Sequence, residues 1–218
     1  MWRPQGSSAY ALLDGGVKPK KKHGTKKSPV AKKFSVQRRR AYPNGSVYDG
    51  QMDGDVRSGY GVCMYANGDK YAGDWVSDKG HGEGTYTHRG GDVYEGGFLH
   101  GRPHGKGAYS YADGNSFGGS WMNGKRHGYG KHTYRHFGDG LEESYEGGYE
   151  NGIRSGFGVY TYKNGDQEHG AWNNGQPDGE HDFFKAEVGV DDPLRKTREW
   201  NNGTLPTTTS AVWRWLGY

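Results

Sequence analysis

Aromatic and β-branched residues alternate with small or polar residues in many short segments of the chain. Examples are DKYAGDW over 69–75 and GTYTH over 84–88. A period of two is typical of a short β-strand with one buried face. Asn-Gly at 67–68 and Asp-Gly at 113–114 are tight-turn signals, because these residues adopt positive φ at little cost. The pattern therefore predicts a succession of β-hairpins.

The alternation recurs in units of 23 residues, with one longer step of 28. The units start at Tyr48, Tyr71, Tyr94, Phe117, Tyr145 and Glu168. Glycine stands two and eleven residues after every start, and thirteen residues after five of the six, where the last unit has His181. The fifth position holds Met52, Trp75, Phe98, Trp121, Tyr149 and Trp172. A second aromatic-rich column stands fifteen residues after each start, and a half unit, YPNGSVY over 42–48, precedes the first unit.

This Y-x-G-x-[WF]-x-x-G-x-x-x-G-x-G pattern resembles the MORN (membrane occupation and recognition nexus) repeat over about residues 42–184. Met52 in the first unit and Glu168 and His181 in the last unit depart from the pattern. These departures lie at the ends of the array, where the capping units of repeat proteins are atypical.

An isolated two-stranded hairpin is only marginally stable in water, so the units are expected to stack edge to edge. The predicted fold is all-β, an elongated single-layer antiparallel sheet in which one unit advances about 10 Å and six units reach about 60 Å. Aromatic rings packed against one another and against glycine would replace a two-layer core. Residues 1–41 are predicted to form a disordered basic arm, and 185–218 a short tail.

The composition narrows the class of protein. Glycine provides 41 residues, only 31% of residues are hydrophobic and the mean hydropathy is -1.09, which is typical of disordered chains. The aromatic fraction of 14% instead indicates that part of the chain folds into a packed core. The single cysteine, Cys63, favours a reducing compartment. Because neither a signal-peptide segment nor an apolar run of about 20 residues is found, the chain is predicted to be neither secreted nor transmembrane.

The charge is divided unevenly along the chain. Residues 1–47 hold twelve lysines and arginines against one acid, Asp14, a net charge of +11, whereas 48–218 have a net charge of −7. The basic segment is interpreted as a solubilising tail, a nuclear import signal at PKKK, or an arm that binds a polyanion such as nucleic acid, anionic lipid or a microtubule. The residues predicted to bind the polyanion are Lys18, Lys20, Lys21, Lys22, Lys26, Lys27, Lys32, Lys33, Arg38, Arg39 and Arg40.

The C-terminal tail contains a helix signal and three tryptophans. In DDPLRKTREW, over 191–200, Asp192 is a candidate N-cap and Pro193 a candidate first helical residue, which predicts a short helix. Trp200, Trp213 and Trp215 are expected either to cap the open edge of the sheet or to dock on a partner.

The sequence indicates no catalytic, metal or cofactor site. His81, His104 and His127 are aligned in successive units, but units about 10 Å apart cannot bring them to one zinc ion, whose ligands lie at about 2 Å. The Gly-x-Gly pairs open no predicted helix and do not indicate a nucleotide loop. Cys63 lies in the second aromatic column and is expected to be packed. We therefore expect a protein that is not an enzyme.

The resemblance implies a scaffold, because similar repeats occur in radial-spoke and other axonemal proteins, cytoskeletal scaffolds and membrane-junction proteins, and beside catalytic domains in other chains. The first hypothesis is a structural scaffold of a cilium or flagellum axoneme that binds a protein partner through its aromatic face and an acidic filament through its arm. The residues predicted to bind the partner are Tyr71, Trp75, Tyr94, Phe98, Phe117, Trp121, Tyr145, Tyr149 and Trp172. Homodimerisation through the open sheet edges stays an alternative.

The second hypothesis is a peripheral membrane adaptor that binds anionic phospholipids or phosphoinositides. Residues 48–184 hold twelve basic and twenty acidic residues, a net charge of −8. This charge repels an anionic leaflet and leaves only weak membrane contact through the arm. The scaffold is therefore the favoured hypothesis.

Overall fold

A computed structural model describes residues 36–135, 140–186 and 195–204. They form one open antiparallel sheet in which each strand pairs with its neighbours in the sequence. The strands are β1 (Val36–Ala41), β2 (Val47–Asp53), β3 (Val56–Met64), β4 (Lys70–Val76), β5 (Lys79–Thr87), β6 (Val93–Leu99), β7 (Arg102–Ser110), β8 (Ser116–Met122), β9 (Lys125–Arg135), β10 (Glu142–Glu150), β11 (Ile153–Thr161), β12 (Gln167–Asn173), β13 (Gln176–Phe184) and β14 (Arg195–Trp200). The prediction of an all-β single sheet is confirmed. The described part of the chain contains no helix that could cross a bilayer.

Each unit folds into a hairpin because its turn residues adopt positive φ. In the fourth unit, Asn123 has a φ of 52° and Gly124 a φ of 85°. Positive φ at both central residues is the requirement of a type I′ turn, whose twist matches that of the paired strands. The third, fifth and sixth units have the same kind of turn, at His100-Gly101, Asn151-Gly152 and Asn174-Gly175.

One face of the sheet carries the core, and the tyrosine that starts a unit lies over glycine on that face. In the third unit, Tyr94 is 1% exposed, and a Cβ added to Gly107 would lie 2.3 Å from its hydroxyl oxygen. The hydroxyl donates a hydrogen bond to the carbonyl oxygen of Gly97 at 2.9 Å. Even alanine is too large beneath the ring, which explains the glycine columns two and thirteen residues after the unit start. The column eleven residues after the start, which includes Gly105, adopts positive φ instead. We call this side of the sheet the ring face, and the opposite side the outer face.

The sixth unit solves the same packing problem with other residues. Glu168 stands at the tyrosine position and His181 at a glycine position, and they are 2% and 0% exposed. The His181 ring fills the space above Gly170, where an added Cβ would lie 2.2 Å from its Cδ2 atom. His181 Nε2 lies 2.7 Å from the carbonyl oxygen of Ala171, which is the position that Gly97 has in the third unit. The histidine thus replaces the hydrogen bond of the absent tyrosine hydroxyl.

Glu168 connects this histidine to the last strand. Its carboxylate accepts hydrogen bonds from the indole of Trp200 and the hydroxyl of Tyr162, and one of its oxygens lies 3.5 Å from Nδ1 of His181. A buried carboxylate is tolerated only when such partners compensate its desolvation. The atypical residues of the last unit therefore form a connected polar cluster that holds the edge strand.

The helix predicted in the tail is wrong for Arg195–Trp200, which is strand β14 and pairs with β13. Pairing along the open edge of β13 outweighs a local helix signal, which is only a weak preference. Trp200 therefore caps the array, as one of the two alternatives expected. Asp192, Pro193, Trp213 and Trp215 lie outside the described residues. At the other end, β1 extends the sheet to Val36, before the half unit expected from residue 42.

Adjacent glycines in β8 provide a matched test of the packing under the rings. A Cβ added to Gly119 would lie 2.5 Å from Gly130 Cα and 2.9 Å from the Phe117 ring, whereas Gly118 has open space. We expect Gly119→Ala to lower the free energy of unfolding by about 1–3 kcal/mol. We expect Gly118→Ala to raise it by about 0.4–1 kcal/mol, because it restricts the unfolded chain. Urea unfolding followed by tryptophan fluorescence measures both, and equal effects would contradict the proposed packing.

The exchange in the sixth unit predicts coupling between Glu168 and His181. Glu168→Tyr alone places a ring where the imidazole lies, and His181→Gly alone leaves a cavity above Gly170 and removes the imidazole beside the Glu168 carboxylate. The double variant restores the ring-over-glycine arrangement of the other units. We expect the free energy of unfolding of the double variant to be about 0.5–3 kcal/mol higher than the sum of the two single effects predicts. A double-mutant cycle of unfolding free energies measures this difference. Additive effects would show that the two positions are independent.

Candidate functional site

The nine aromatic residues predicted to bind a partner lie together on the ring face, but they form the core. Their rings make one unbroken row of edge-to-face contacts with centroid distances of 4.9 to 5.4 Å. The most exposed member, Trp121, is 8% exposed. The row, in spatial order, is Trp75, Tyr71, Phe98, Tyr94, Trp121, Phe117, Tyr149, Tyr145 and Trp172. In a single-layer sheet these rings must bury one another, so they do not form an open contact surface.

A second layer of half-buried rings covers this row. Its members are Tyr65, Tyr86, Tyr109, Tyr111, Tyr134 and Tyr160. The hydroxyl of Tyr109 donates to Asp92 at 2.8 Å, and that carboxylate also accepts the backbone N–H of Ala112. Burial and the neighbouring carboxylate raise the pKa of Tyr109. The Ala112 N–H and the Tyr109 hydroxyl lower the pKa of Asp92, so this connection joins a neutral phenol to an anionic carboxylate.

Three arginines on the ring face were not identified from the sequence. Arg57, Arg126 and Arg154 each stand nine residues after a unit start, in a column that also contains glycine and proline. The Arg154 guanidinium lies 4.1 Å from the Trp172 ring centroid, and Arg57 lies 4.2 Å from that of Trp75. Such cation-π contacts stabilise partly buried rings. The only sequence signal was the recurrence of arginine in this column.

These arginines also bond to the next unit. Arg126 donates to the carbonyl of Gly152 and Arg154 donates to the carbonyl of Gly175, both at 2.9 Å. Arg57 makes the equivalent bond to Asp78, also at 2.9 Å. Each arginine therefore stacks on aromatic rings and satisfies one turn carbonyl, a combination that a planar guanidinium with several donors makes well.

His132 is the histidine most affected by this environment. Burial, together with the positive charges of Arg126 and Arg154, lowers its pKa to about 4. Arg126 Nη1 lies 3.1 Å from His132 Nδ1. A guanidinium can donate to this nitrogen only when the nitrogen is unprotonated, so the ring is neutral in the folded protein.

The outer face has three exposed aromatic residues that the sequence reasoning did not single out. Tyr60, Tyr129 and Phe157 are 58%, 58% and 67% exposed. All three stand twelve residues after a unit start. Tyr129 lies opposite Gly148 in the neighbouring strand, and Phe157 lies opposite Ala171 in the next strand pair. Exposed rings of this size are enriched in protein interfaces.

Two open clefts lie on the ring face at the fifth and sixth units. The larger, of about 560 Å³, is lined by Leu141, Tyr162, Phe183 and Arg198 among others. Neither cleft contains a metal-ligand cluster, because no three His, Cys, Asp or Glu side chains among residues 36–135, 140–186 and 195–204 are grouped to hold a metal ion. Cys63 is packed, as expected, at 1% exposed, and burial raises the pKa of its thiol.

The three described members of the predicted arm belong to the sheet. Arg38, Arg39 and Arg40 lie in β1. Arg40 forms an ion pair with Asp55 at 3.0 Å, and Arg38 donates to the carbonyl of Gly54 at 3.2 Å. The eight lysines of the arm, from Lys18 to Lys33, lie outside the described residues. Two of the arginines are thus engaged in holding the first hairpin.

The lowered pKa of His132 predicts a pH-dependent stability. The unfolded chain protonates this histidine near pH 6.5, whereas the folded protein protonates it at about 4. Between pH 6.5 and pH 4 the unfolded state binds more protons than the folded state. The free energy of unfolding therefore falls as the pH is lowered through this range. His132→Tyr introduces the residue that Tyr160 provides beside Arg154, and should weaken this dependence.

The measurement is urea unfolding of the wild type and variant at intervals between pH 7 and pH 4. His100→Asn is the matched control, because it removes an exposed histidine from a turn where the fourth unit has Asn123. An unchanged pH dependence in His132→Tyr would show that another group causes it.

Comparison with protein-family models matches the MORN repeat at residues 48–70, 71–93, 94–116, 119–135, 145–167 and 169–180. Comparison with curated protein sequences gives no match. Among solved structures, a catalytically inactive virginiamycin B lyase from Staphylococcus aureus with quinupristin aligns with 84% of this chain and 74% of its own, at 10% identity and a TM-score of 0.18. No conclusion about fold or function is drawn from so low a TM-score. The six matched repeats cover more than half of the chain and coincide with the hairpins of the sheet, and the chain therefore belongs to the MORN-repeat family.

Proposed function

We propose that the protein is a non-catalytic scaffold that binds a partner protein through the outer face of its sheet. MORN repeats are in general scaffold motifs that bind proteins or membranes. The observation that carries the proposal is the pair of exposed rings, Tyr129 and Phe157, at 58% and 67% exposed. The ring face is covered by its own second layer and arginines, so the outer face offers the accessible aromatic surface.

The two rings flank a gap. Tyr129 is in β9 and Phe157 is in β11, and Gly148 of β10 lies between them. Strands are about 4.8 Å apart, so the two side chains stand about 10 Å apart. Gly148 places no side chain between them, and the Tyr129 hydroxyl donates to Glu146, in the same strand as Gly148, at 3.0 Å. A Cβ at Gly148 would lie 2.1 Å from the carbonyl oxygen of Ser155, so the gap is maintained by the backbone. A notch of this width accommodates one apolar side chain of a partner between two rings.

Charge favours a protein over a membrane as the partner of the sheet. Residues 48–184 have a net charge of −8, which opposes binding to an anionic leaflet. The basic N-terminal segment is proposed to attach the scaffold to an acidic filament, with a cilium or flagellum axoneme as the proposed setting. Peripheral attachment of this segment to anionic phospholipid is the second candidate, supported by the net charge of +11 over residues 1–47.

The test compares the full chain with Tyr129→Ser/Phe157→Ser and with Tyr60→Ser as the matched control. Tyr60 occupies the same column, but it lies opposite Asp74 and not beside a glycine gap. We expect the wild type and the control to capture the same cross-linked proteins. The amount captured by the double variant should be at least about tenfold lower, because central aromatic residues carry most interface energy. Quantitative mass spectrometry measures the loss.

Liposome sedimentation separates the two candidates. If phosphatidylserine vesicles at physiological salt sediment the full chain while no captured protein depends on Tyr129 and Phe157, the scaffold proposal is contradicted and the membrane adaptor replaces it. If ciliary or other filament proteins depend on the pair, the setting is identified directly.

A further inference from the structure

The second, third and fourth units carry the same kinds of residue beside their hairpin turns. An aliphatic residue stands five residues after each start, a basic residue stands eight after it, and the three aligned histidines stand ten after it. The aliphatic residues are Val76, Leu99 and Met122, and the basic residues are Lys79, Arg102 and Lys125. We call these six residues the central stripe. The first, fifth and sixth units lack this combination, and the fifth has Glu150 at the aliphatic position.

Strand pairing places each aliphatic residue of the central stripe directly opposite a basic one. The pairs are Val76 with Lys79, Leu99 with Arg102 and Met122 with Lys125. Each aliphatic residue follows a buried ring of the ring face, as Val76 follows Trp75, so the stripe lies on the outer face. Val76 and Met122 are 49% and 39% exposed. Three similar pairs therefore follow one another along the array, about 10 Å apart.

The basic side chains of the central stripe are exposed and unpaired. None of the three forms an ion pair within the part of the chain that the structure describes. Asp74 and Glu83 are the acids of the second unit on this face. They stand farther from the turn, and the Asp74 carboxylate accepts the backbone N–H of Glu83 at 3.3 Å.

The units that hold the stripe also differ in charge from the rest of the array. Residues 71–135 contain eight basic and six acidic residues, a net charge of +2, whereas 48–184 have a net charge of −8. The remaining residues of the array, 48–70 and 136–184, therefore have a net charge of −10. The central stripe is a basic, partly apolar surface in an array that is otherwise acidic, and it suits a partner with acidic and apolar side chains.

We propose that the central stripe binds an acidic amphipathic α-helix of a partner protein, which lies across the strands. A helix advances about 10.5 Å over seven residues, and the array advances about 10 Å per unit. An apolar residue at every seventh position of the helix therefore meets Val76, Leu99 and Met122 in turn. Acidic residues three and four positions later lie on the same face of that helix, where they reach the basic side chains. This inference rests on the proposed function, because it takes the outer face as the binding face, and it gives the class of the partner.

A helix suits this face better than an extended segment does. Strands β4 to β9 hold the stripe, and each of them pairs with a neighbour on both sides. Their backbone groups are therefore used within the sheet. An extended segment laid on this face would leave its own N–H and C=O groups without backbone partners, which is costly where water is excluded. A helix satisfies these groups internally, and helices commonly cover the face of a sheet.

The charges favour another protein over the terminal segments of this chain and over a membrane. Residues 1–35 and 205–218 contain one acidic residue between them, Asp14, so neither segment provides an acidic helix. An anionic leaflet has the right charge for the stripe alone. It would meet the whole array, however, and the net charge of −8 over residues 48–184 opposes it.

The test uses a labelled, capped peptide made of three copies of the heptad Leu-Ala-Ala-Glu-Glu-Ala-Gln. It is titrated with the full chain and followed by fluorescence anisotropy, and we expect saturable binding in the micromolar range. In one control peptide, the leucine of the central heptad exchanges places with the last alanine of that heptad, which moves it to another face of the helix. In the other, proline replaces the first alanine of the central heptad and breaks the helix. Both controls should bind at least about fivefold more weakly.

Two triple variants of the full chain test the charges. Lys79→Gln/Arg102→Gln/Lys125→Gln introduces the residue that the sixth unit has in this column, Gln176. The matched control, Lys70→Gln/Arg89→Gln/Arg135→Gln, removes the same charge from exposed positions near the opposite ends of the strands. We expect the first variant to bind the heptad peptide at least about fivefold more weakly than the control, and with a smaller dependence on salt.

A double variant tests the aliphatic residues of the stripe. Leu99→Asn/Met122→Asn introduces the residue that the sixth unit has in this column, Asn173. It keeps the three basic side chains and removes two apolar contacts, so binding should weaken by at least about fivefold while its salt dependence stays unchanged.

The inference is overturned if the heptad peptide does not bind, if either control peptide binds equally well, or if the two triple variants bind alike. Sedimentation with phosphatidylserine vesicles gives the membrane alternative a direct outcome. If the full chain sediments through Lys79, Arg102 and Lys125 while the peptide does not bind, the stripe is a membrane surface and the assignment to a helix is overturned.

The notch variant distinguishes this inference from the proposed function. A captured partner that depends on Tyr129 and Phe157, with no peptide binding, overturns the helix site and leaves the scaffold. Peptide binding that depends on the stripe, with no captured protein that depends on Tyr129 and Phe157, supports the helix site and contradicts the notch.

Discussion

The fold depends on a tyrosine ring that lies over two paired glycines. The ring fills the volume above them, and its hydroxyl donates to a carbonyl three residues further along the strand, as Tyr48, Tyr71, Tyr94 and Tyr145 do. A sheet with one layer has no opposing layer to bury its apolar side chains, so the rings must use the backbone as their packing partner. In the two columns beneath the rings, glycine is then required for the space that it leaves and not for its conformational freedom. This requirement also explains why a chain with little aliphatic material folds.

The same constraint accounts for the variations between units. Phe117 keeps the ring and gives up the hydroxyl, and a Cβ on Gly130 would still lie 2.4 Å from its Cζ. In the sixth unit, Glu168 replaces the tyrosine. The His181 imidazole still provides a planar group above Gly170 and a hydrogen bond to the equivalent carbonyl. What every unit preserves is the filled volume above the glycines, and five of the six units also keep the hydrogen bond to the acceptor. The identity of the residue is secondary to filling this volume.

Much of the fold could be predicted from the sequence because its repeat fixes the register. Columns of glycine and aromatic residues identify which positions share a face, and the all-β sheet follows from their period. The candidate site was harder, because apolar columns such as those of Trp75 and Trp121 mark burial and not accessibility. Tyr129 and Phe157 lie in a column of mixed composition that gives no periodic signal. The contacts of Arg57, Arg126 and Arg154 are with the next unit. They could not be predicted, because the sequence pattern does not give the distances between units.

The two edges of the sheet show how the array avoids extending itself. An open sheet presents unpaired backbone groups at both ends, which favours pairing with further copies. Here β1 has the sequence VQRRRA and β14 the sequence RKTREW, with net charges of +3 and +2. Joining β14 of one copy to β1 of another would place two positively charged strands about 4.8 Å apart. Because like charges on neighbouring strands are destabilising, the edge strands of the described sheet oppose head-to-tail association, and the exposed rings of the outer face remain the surface suited to a different protein.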